Sequence, residues 1–328
     1  VIKIKREAIM GRYILKRTLT AIVAFIGITI MTYCLASLMP GSPLDQLVQP
    51  ESGISNAELA AIEHKMGLDQ PIYIQYFFWL KNMFQGNFGV SYTQHRPVVE
   101  LIAGRIGPTL LLSLSSMLLA LFVAVPLGTA AGYRPYKGID YASSVLAFVG
   151  QAAPNFFVAL LLIYIFAVKL RLLPISGMYN SGSSGTAGEV LKHLILPCLA
   201  LTFQHLGIFT RQMRNSMYEC MSDDYVRTAR AKGLNERTVL FKHTLRNALL
   251  PLITQAGLSL GALVGGAIIT EQIFSWPGMG TLMLKAIKDR DYPLIMGITV
   301  IISVIVLIGN IVIDIIYRML DPRIDDKV

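Results

Sequence analysis

Six stretches of the chain contain no Asp, Glu, Lys or Arg: residues 18–44, 106–133, 141–168, 193–210, 247–270 and 292–313, each 18 to 28 residues long. A bilayer core of about 30 Å needs about 20 helical residues. In hydrocarbon only a helix or a closed barrel satisfies its own backbone, so uncharged runs of this length predict helices. The pattern therefore predicts an all-α integral membrane protein with six transmembrane helices. The fourth run is the shortest, and Gln204 and His205 interrupt it. Composition agrees. Of 328 residues 54% are apolar and only 15% charged, against about 25% charged in soluble chains, and mean hydropathy is +0.56.

Six spans place both termini on one side. Of the 29 Lys and Arg residues, 19 fall at the two termini and in the segments after spans two and four, and 10 on the opposite side. The positive-inside rule predicts cytoplasmic termini, and the net charge of +9 reads as topology rather than as nucleic-acid binding. A cleaved signal peptide would also begin basic and continue apolar. Here the apolar run is too long, and Met39-Pro40-Gly41 is no small-residue cleavage site. Met10-Gly11-Arg12 reads as a start, with residues 1–9 as a tail outside the fold. Cys34, Cys198 and Cys220 stand apart, without disulfide or metal-site spacing, and no metal site is expected.

The expected organisation is a cytoplasmic tail over 1–17, span one over 18–39, a helical extracytoplasmic cap over 40–105, a five-span core over 106–318, and a cytoplasmic tail over 319–328. In the cap, Ser55-Asn56-Ala57-Glu58 matches a capping box and Gly67 a left-handed helix end. Pro71 opens a second helix to about Phe84, whose Tyr73, Tyr76, Phe77, Phe78 and Trp79 form either an interfacial belt or the cap's own core. Residues 97–106 lead as a helix into span two, and Ser181 to Gly185 read as a flexible loop.

The inner segment 217–247 is the most informative. Ser222-Asp223-Asp224 reads as a helix start, with carboxylates at the positive end of the dipole and Arg227, Arg230 and Lys232 in the later turns. Gly233 closes that helix in the left-handed conformation with Leu234 following, and Asn235-Glu236 opens a second helix running into span five. Thr228, Ala229 and Ala231 are expected to form a low surface on which another protein's backbone can lie. From composition alone, contact with anionic lipid competes equally.

Several motifs occur together and in order: Asp224-Tyr225-Val226-Arg227-Thr228-Ala229-Arg230-Ala231-Lys232-Gly233; Lys242-His243-Thr244-Leu245-Arg246-Asn247-Ala248-Leu249-Leu250-Pro251; Glu271 to Gly280, reading EQIFSWPGMG; Arg290-Asp291-Tyr292-Pro293; and Asp321-Pro322-Arg323-Ile324. In these the chain resembles the inner-membrane permease subunits of ATP-binding-cassette importers, in particular the oligopeptide and dipeptide permease family. Where importer permeases at large have Glu-Ala-Ala before the loop glycine, this chain has Arg227-Thr228-Ala229, as expected of the peptide branch. The resemblance implies a type I importer permease fold in a bacterial cytoplasmic membrane, with Asp223 to Gly233 as a coupling helix docked on a separate ATPase subunit. It implies further partners: a second related permease, two ATPase subunits that bind ATP and Mg, and an extracytoplasmic binding protein. The implied cargo is a di- or oligopeptide, with nickel chelates or glutathione as alternatives.

No Gly-x-x-x-x-Gly-Lys-Ser/Thr loop occurs, so no cofactor is expected in this chain and ATP hydrolysis is expected in the partners. Gly257, Gly261 and Gly265 recur every fourth residue, as do Ala120, Ala124 and Gly128, and such stripes let backbones approach. The approach is favoured as internal, with a second subunit as the alternative. Gln151, Asn155, Gln204, His205 and Gln255 are polar groups within apolar spans, and either line a translocation path or hold helices together. Glu271 and Asp314 lie near span ends and are expected to reach water. A proton-coupled secondary transporter would keep midplane relays, for which only His205 qualifies. Gly257-Leu258-Ser259-Leu260-Gly261 fits a nucleophile elbow in letters, but that elbow needs a strand-to-helix turn.

Overall fold

The computed structural model describes residues 2–38, 64, 69–180, 182, 183 and 185–320, with the side chains of 2–15, 260, 262–266, 314 and 317–320 outside the description. Among these residues the chain is helical, with no named strand and one isolated bridge between Val90 and Pro97. The helices are α1 (Ile2–Leu38), α2 (Ile72–Phe84), α3 (Val98–Tyr133), α4 (Gly138–Ala152), α5 (Asn155–Leu162), α6 (Ala187–Ser222), α7 (Asp224–Ala231), α8 (Leu245–Ile273), α9 (Met279–Lys288) and α10 (Tyr292–Leu320). A short helix, Glu236–Thr238, follows α7, and two π-helical stretches extend this set, Ile163–Lys169 after α5 and Val239–Thr244 before α8.

Among the described residues four helical segments are long and apolar enough to cross a membrane: Lys16–Leu38, Val98–Tyr133, Ala187–Ser222 and Tyr292–Ile313. The third expected span is not one straight rod. It is α4 followed by α5 with its π extension, bent by 103° between them. The break sits at Ala153, held extended (φ −74, ψ 123) by the ring of Pro154, which starts the next helix. The fifth expected span lies inside the 29-residue α8. The fourth is longer than its uncharged run, because Thr186 and Glu189 form a capping box and start α6 ahead of His193. Residues 2–9, read as a loose tail, continue α1. The expected capping box at Ser55 and the helix end at Gly67 lie outside the described residues.

The chain divides into two compact units, Val1–Gly107 with Thr281–Leu307, and Pro108–Gly280 with Ile308–Val328. In the first, α2 packs on α1. Tyr33 meets Tyr76 edge-on at 5.6 Å and lies 5.7 Å from Trp79, while the Thr29 and Tyr76 hydroxyls pair at 3.0 Å. Tyr73, Phe77 and Phe78 are exposed. Tyr76 and Trp79 thus pack on α1 rather than within a core of the cap itself. Buried Asp291 starts α10, accepting hydrogen bonds from the Ser91 hydroxyl, the Thr93 hydroxyl (3.0 Å) and the Leu294 N–H (3.3 Å).

The second unit is built around α6. Phe209, Met213 and Met217 of α6 bury themselves among Ala120 and Ala124 of α3 and Ala248, Leu252 and Ala256 of α8. A β-carbon on Gly128 would stand 2.6 Å from Met213 Cβ, and one on Gly132 2.5 Å from the Arg214 carbonyl oxygen. The α3 stripe therefore packs inside this chain, as favoured above. Gly257 meets Ile313 Cγ2 in the same way, at 2.8 Å. A pair that the stripes did not announce joins α4 to α6: a β-carbon on Gly207 would lie 2.5 Å from the Ala147 carbonyl oxygen, and one on Gly150 2.9 Å from that of Phe203.

Candidate functional site

The segment after α6 folds as the sequence requires. Asp223, extended at φ −69 and ψ 150, precedes α7. At the other end Gly233 takes φ +76, its N–H bonds the Arg230 carbonyl at 2.9 Å, and the Leu234 N–H bonds that of Ala229 at 3.3 Å. This is a Schellman end, which only a residue free of a β-carbon adopts cheaply. Asn235 then caps the next helix, its side chain accepting the Thr238 N–H at 2.8 Å. The Arg230 guanidinium binds the Glu236 carboxylate at 2.8 Å and so braces the two helices across the turn.

Val226, Ala229 and Val239 form a small buried cluster under α7. Ala229 is therefore not part of a docking surface, contrary to expectation: it faces inward with Val226, one turn apart. The outward face consists of Asp224, Arg227, Thr228, Ala231 and Lys232. Burial pushes the Tyr225 hydroxyl up to about 12, so at neutral pH it remains protonated and able to donate.

Asp140, at the start of α4, accepts two hydrogen bonds from Arg214 of α6, at 3.0 and 2.9 Å, and one from the Tyr136 N–H at 2.9 Å. Arg214 also lies over the Tyr218 ring at 5.6 Å. Sequence reading counted Arg214 only as a topology charge. The 74 residues separating the partners carry no local signal.

Glu271 does not reach water. It is fully buried, accepting the Thr109 hydroxyl at 2.6 Å and the Gly280 N–H at 2.8 Å. Thr109 in turn accepts the Met279 N–H at 2.7 Å, and the Trp276 indole donates to the Pro108 carbonyl at 2.9 Å. A β-carbon on Gly278 would fall 2.0 Å from Glu271 Oε1. The EQIFSWPGMG motif is thus a tight clasp around one carboxyl group, and its glycines leave room for that group. The side chain of Asp314 is outside the description.

Of the five polar residues in apolar spans, three carry buried atoms that have no hydrogen-bond partner among the described residues: Asn155 Oδ1, Gln204 Oε1, and both ring nitrogens of His205. Asn155 Nδ2 donates to Thr270 Oγ1 at 2.8 Å, and the His205 ring stacks on Phe209 at 5.8 Å between centroids. Gln151 is exposed beside the Gly207 crossing, and Gln255 is half-buried. Ser259 lies within α8 and donates to the Gln255 carbonyl at 2.9 Å, so no nucleophile elbow exists there. Among the described residues no group of three His, Cys, Asp or Glu side chains could hold a metal ion.

Comparison with known proteins covers almost the whole chain. Residues 124–326 match the family described as binding-protein-dependent transport system inner membrane component, and residues 10–115 match the N-terminal part of such membrane components. The oligopeptide transport system permease protein AppB of Bacillus subtilis (strain 168) is 43% identical over 317 residues, spanning 96% of this chain and 100% of AppB. The dipeptide transport system permease protein DppB of Escherichia coli (strain K12) is 34% identical over 339 residues, 97% of this chain and 100% of DppB. Among solved structures, an inward-facing MetNI methionine transporter aligns with a TM-score of 0.54 at 18% identity, over 67% of this chain and 96% of that one. At that identity the likeness concerns the fold.

Proposed function

Because the chain belongs to the family of inner membrane components of binding-protein-dependent transport systems, we propose that its cargo is a di- or oligopeptide, and that α7 is the element through which ATP hydrolysis elsewhere drives it. The chain is a multi-pass inner-membrane permease subunit of an ATP-binding-cassette importer, which works with an ATPase partner and a binding protein. The peptide reading is supported by relatives named for oligopeptide and dipeptide transport that align from end to end. In this reading both termini are cytoplasmic, a second related permease completes the pore, and two ATPase subunits hold the ATP and Mg.

The single observation carrying the coupling role is the braced turn: a short helix closed at Gly233 and tied by Arg230 to Glu236, which starts the helix that runs on through the π turn into α8. Its outward face of Asp224, Arg227, Thr228, Ala231 and Lys232 would dock into a groove of the ATPase. Closure of the ATPase pair would then move α7 and rock the span bundle between inward-open and outward-open states. Asn155, Gln204 and His205 are assigned to the path, since a hydrated passage gives their unpartnered atoms water or peptide groups to bond.

The test is uptake of labelled trialanine into proteoliposomes holding the complete transporter and binding protein. Deletion of residues 223–232, or Arg227→Glu with Lys232→Glu, abolishes ATP-dependent uptake while the chain remains inserted. Uptake that persists in these variants would falsify the coupling role. Intact coupling of another solute, with no peptide transported, removes the peptide reading alone.

A further inference from the structure

A cleft of ≈ 870 Å³ opens in the second unit between the end of α3, the connection to α4 and the π turn before α8. Its wall is apolar, formed by Val125, Pro126, Leu240 and Leu245, with Phe241 at the edge 60% exposed. At its mouth stand Arg134 and Lys137, both exposed. Neither lies within ion-pair distance of a carboxylate among the described residues, and Arg134 rests at 5.9 Å over the Tyr133 ring. Asp140, the nearest acid in sequence, is committed to Arg214 and to the Tyr136 N–H. Within the cleft Thr129, 8% exposed, has a hydroxyl without any hydrogen-bond partner among the described residues.

We propose that this cleft binds an acidic phospholipid. Its phosphate sits between Arg134 and Lys137, one acyl chain follows the Val125–Pro126 wall towards Phe241, and an ester carbonyl accepts the Thr129 hydroxyl. Three features select an amphiphile over a soluble anion or a protein segment. The cations lie at the lip of an apolar wall rather than in a polar hollow. Tyr133 and the 70%-exposed Tyr136 end a 36-residue apolar helix, where aromatic side chains mark the membrane interface. The orphaned polar atom inside, among the described residues, is the Thr129 hydroxyl, which can donate to an ester carbonyl. Basic pockets between spans at the cytoplasmic level bind anionic head groups by this physics. The inference rests on the chain lying in a bilayer and not on the nature of its cargo.

The test is native mass spectrometry of the full chain in an uncharged detergent, titrated with phosphatidylglycerol and phosphatidylcholine of matched acyl chains. Phosphatidylglycerol binds in preference, and Arg134→Gln with Lys137→Gln reduces that preference roughly fivefold per cation removed. Arg134→Lys with Lys137→Arg retains it, which keeps the test decisive where the neutral double variant folds poorly. Thr129→Val weakens both lipids alike, and Lys169→Gln, which does not line the cleft, changes nothing. The proposal fails if the preference survives loss of both cations. It fails also if inorganic phosphate displaces the lipid at equal concentration.

Discussion

Replacing Arg214 by Met should damage the protein more than replacing Asp140 by Asn, although the two residues form one pair. Asp140 is 4% exposed, so without the guanidinium its carboxylate would keep the Tyr136 N–H and the Ser144 side chain but no cation. The Arg214 side chain is 26% exposed and still lies over Tyr218, so without the carboxylate it can turn towards solvent. Breaking a buried pair costs about 3–5 kcal/mol. Partial exposure places Asp140→Asn nearer 1–2 kcal/mol and leaves Arg214→Met at about 3 kcal/mol. The assay is equilibrium unfolding of the purified chain in mixed micelles at neutral pH, with both single variants and the double variant. Equal costs for the single variants, or a double variant whose cost is their sum, would refute the reasoning. The first result would mean that the difference in burial does not set the cost, and the second that the pair holds no energy of its own.

Other expectations follow from close contacts. Gly207→Ala puts a β-carbon 2.5 Å from the Ala147 carbonyl oxygen and should destabilise by about 1–3 kcal/mol, whereas Gly188→Ala, with open space around it, should be neutral in the same melt. Thr109→Val leaves Glu271 one donor short and the Met279 N–H without its acceptor, and should cost about 2–4 kcal/mol; Thr109→Ser, which keeps the hydroxyl, should recover most of it. Gly233→Ala forces a side chain into φ +76 and should lower ATP-driven uptake with about 1 kcal/mol of lost stability, while Gly233→Asn should cost less.

What could be read from the sequence was local. Gly233, Asn235 and Pro71 announced helix ends because capping and turn chemistry act within a few residues, and each does what its residue type requires. Thr186-Ala187-Gly188-Glu189 carried the same kind of signal and was passed over; counting uncharged residues measures hydrocarbon compatibility and ignores helical ends, so α6 looked short. The same count could not see the bend at Ala153. Pro108, Pro126, Pro197 and Pro251 all sit inside continuous helices, and a proline in sequence does not declare whether its neighbours tolerate it.

The site was legible in its backbone and not in its facing. Ala229 looked like surface because it is small, but the turn that brings Val239 over Val226 buries it. Glu271 looked solvated because it ends an apolar run; the donors that permit its burial come from Thr109, 162 residues earlier, and from a turn of its own motif. The unpartnered atoms of Gln204 and His205 likewise become visible only once α6 is placed.

The Arg230–Glu236 brace has a mechanical consequence. Lys232, Gly233 and Leu234 are the whole of the chain between α7 and the cap at Asn235, and all three of their N–H groups are already bonded back to α7. A joint of that kind has no backlash: displacement applied at one arm arrives at the other without dead travel, and so the stroke of a small motor is not spent in taking up play.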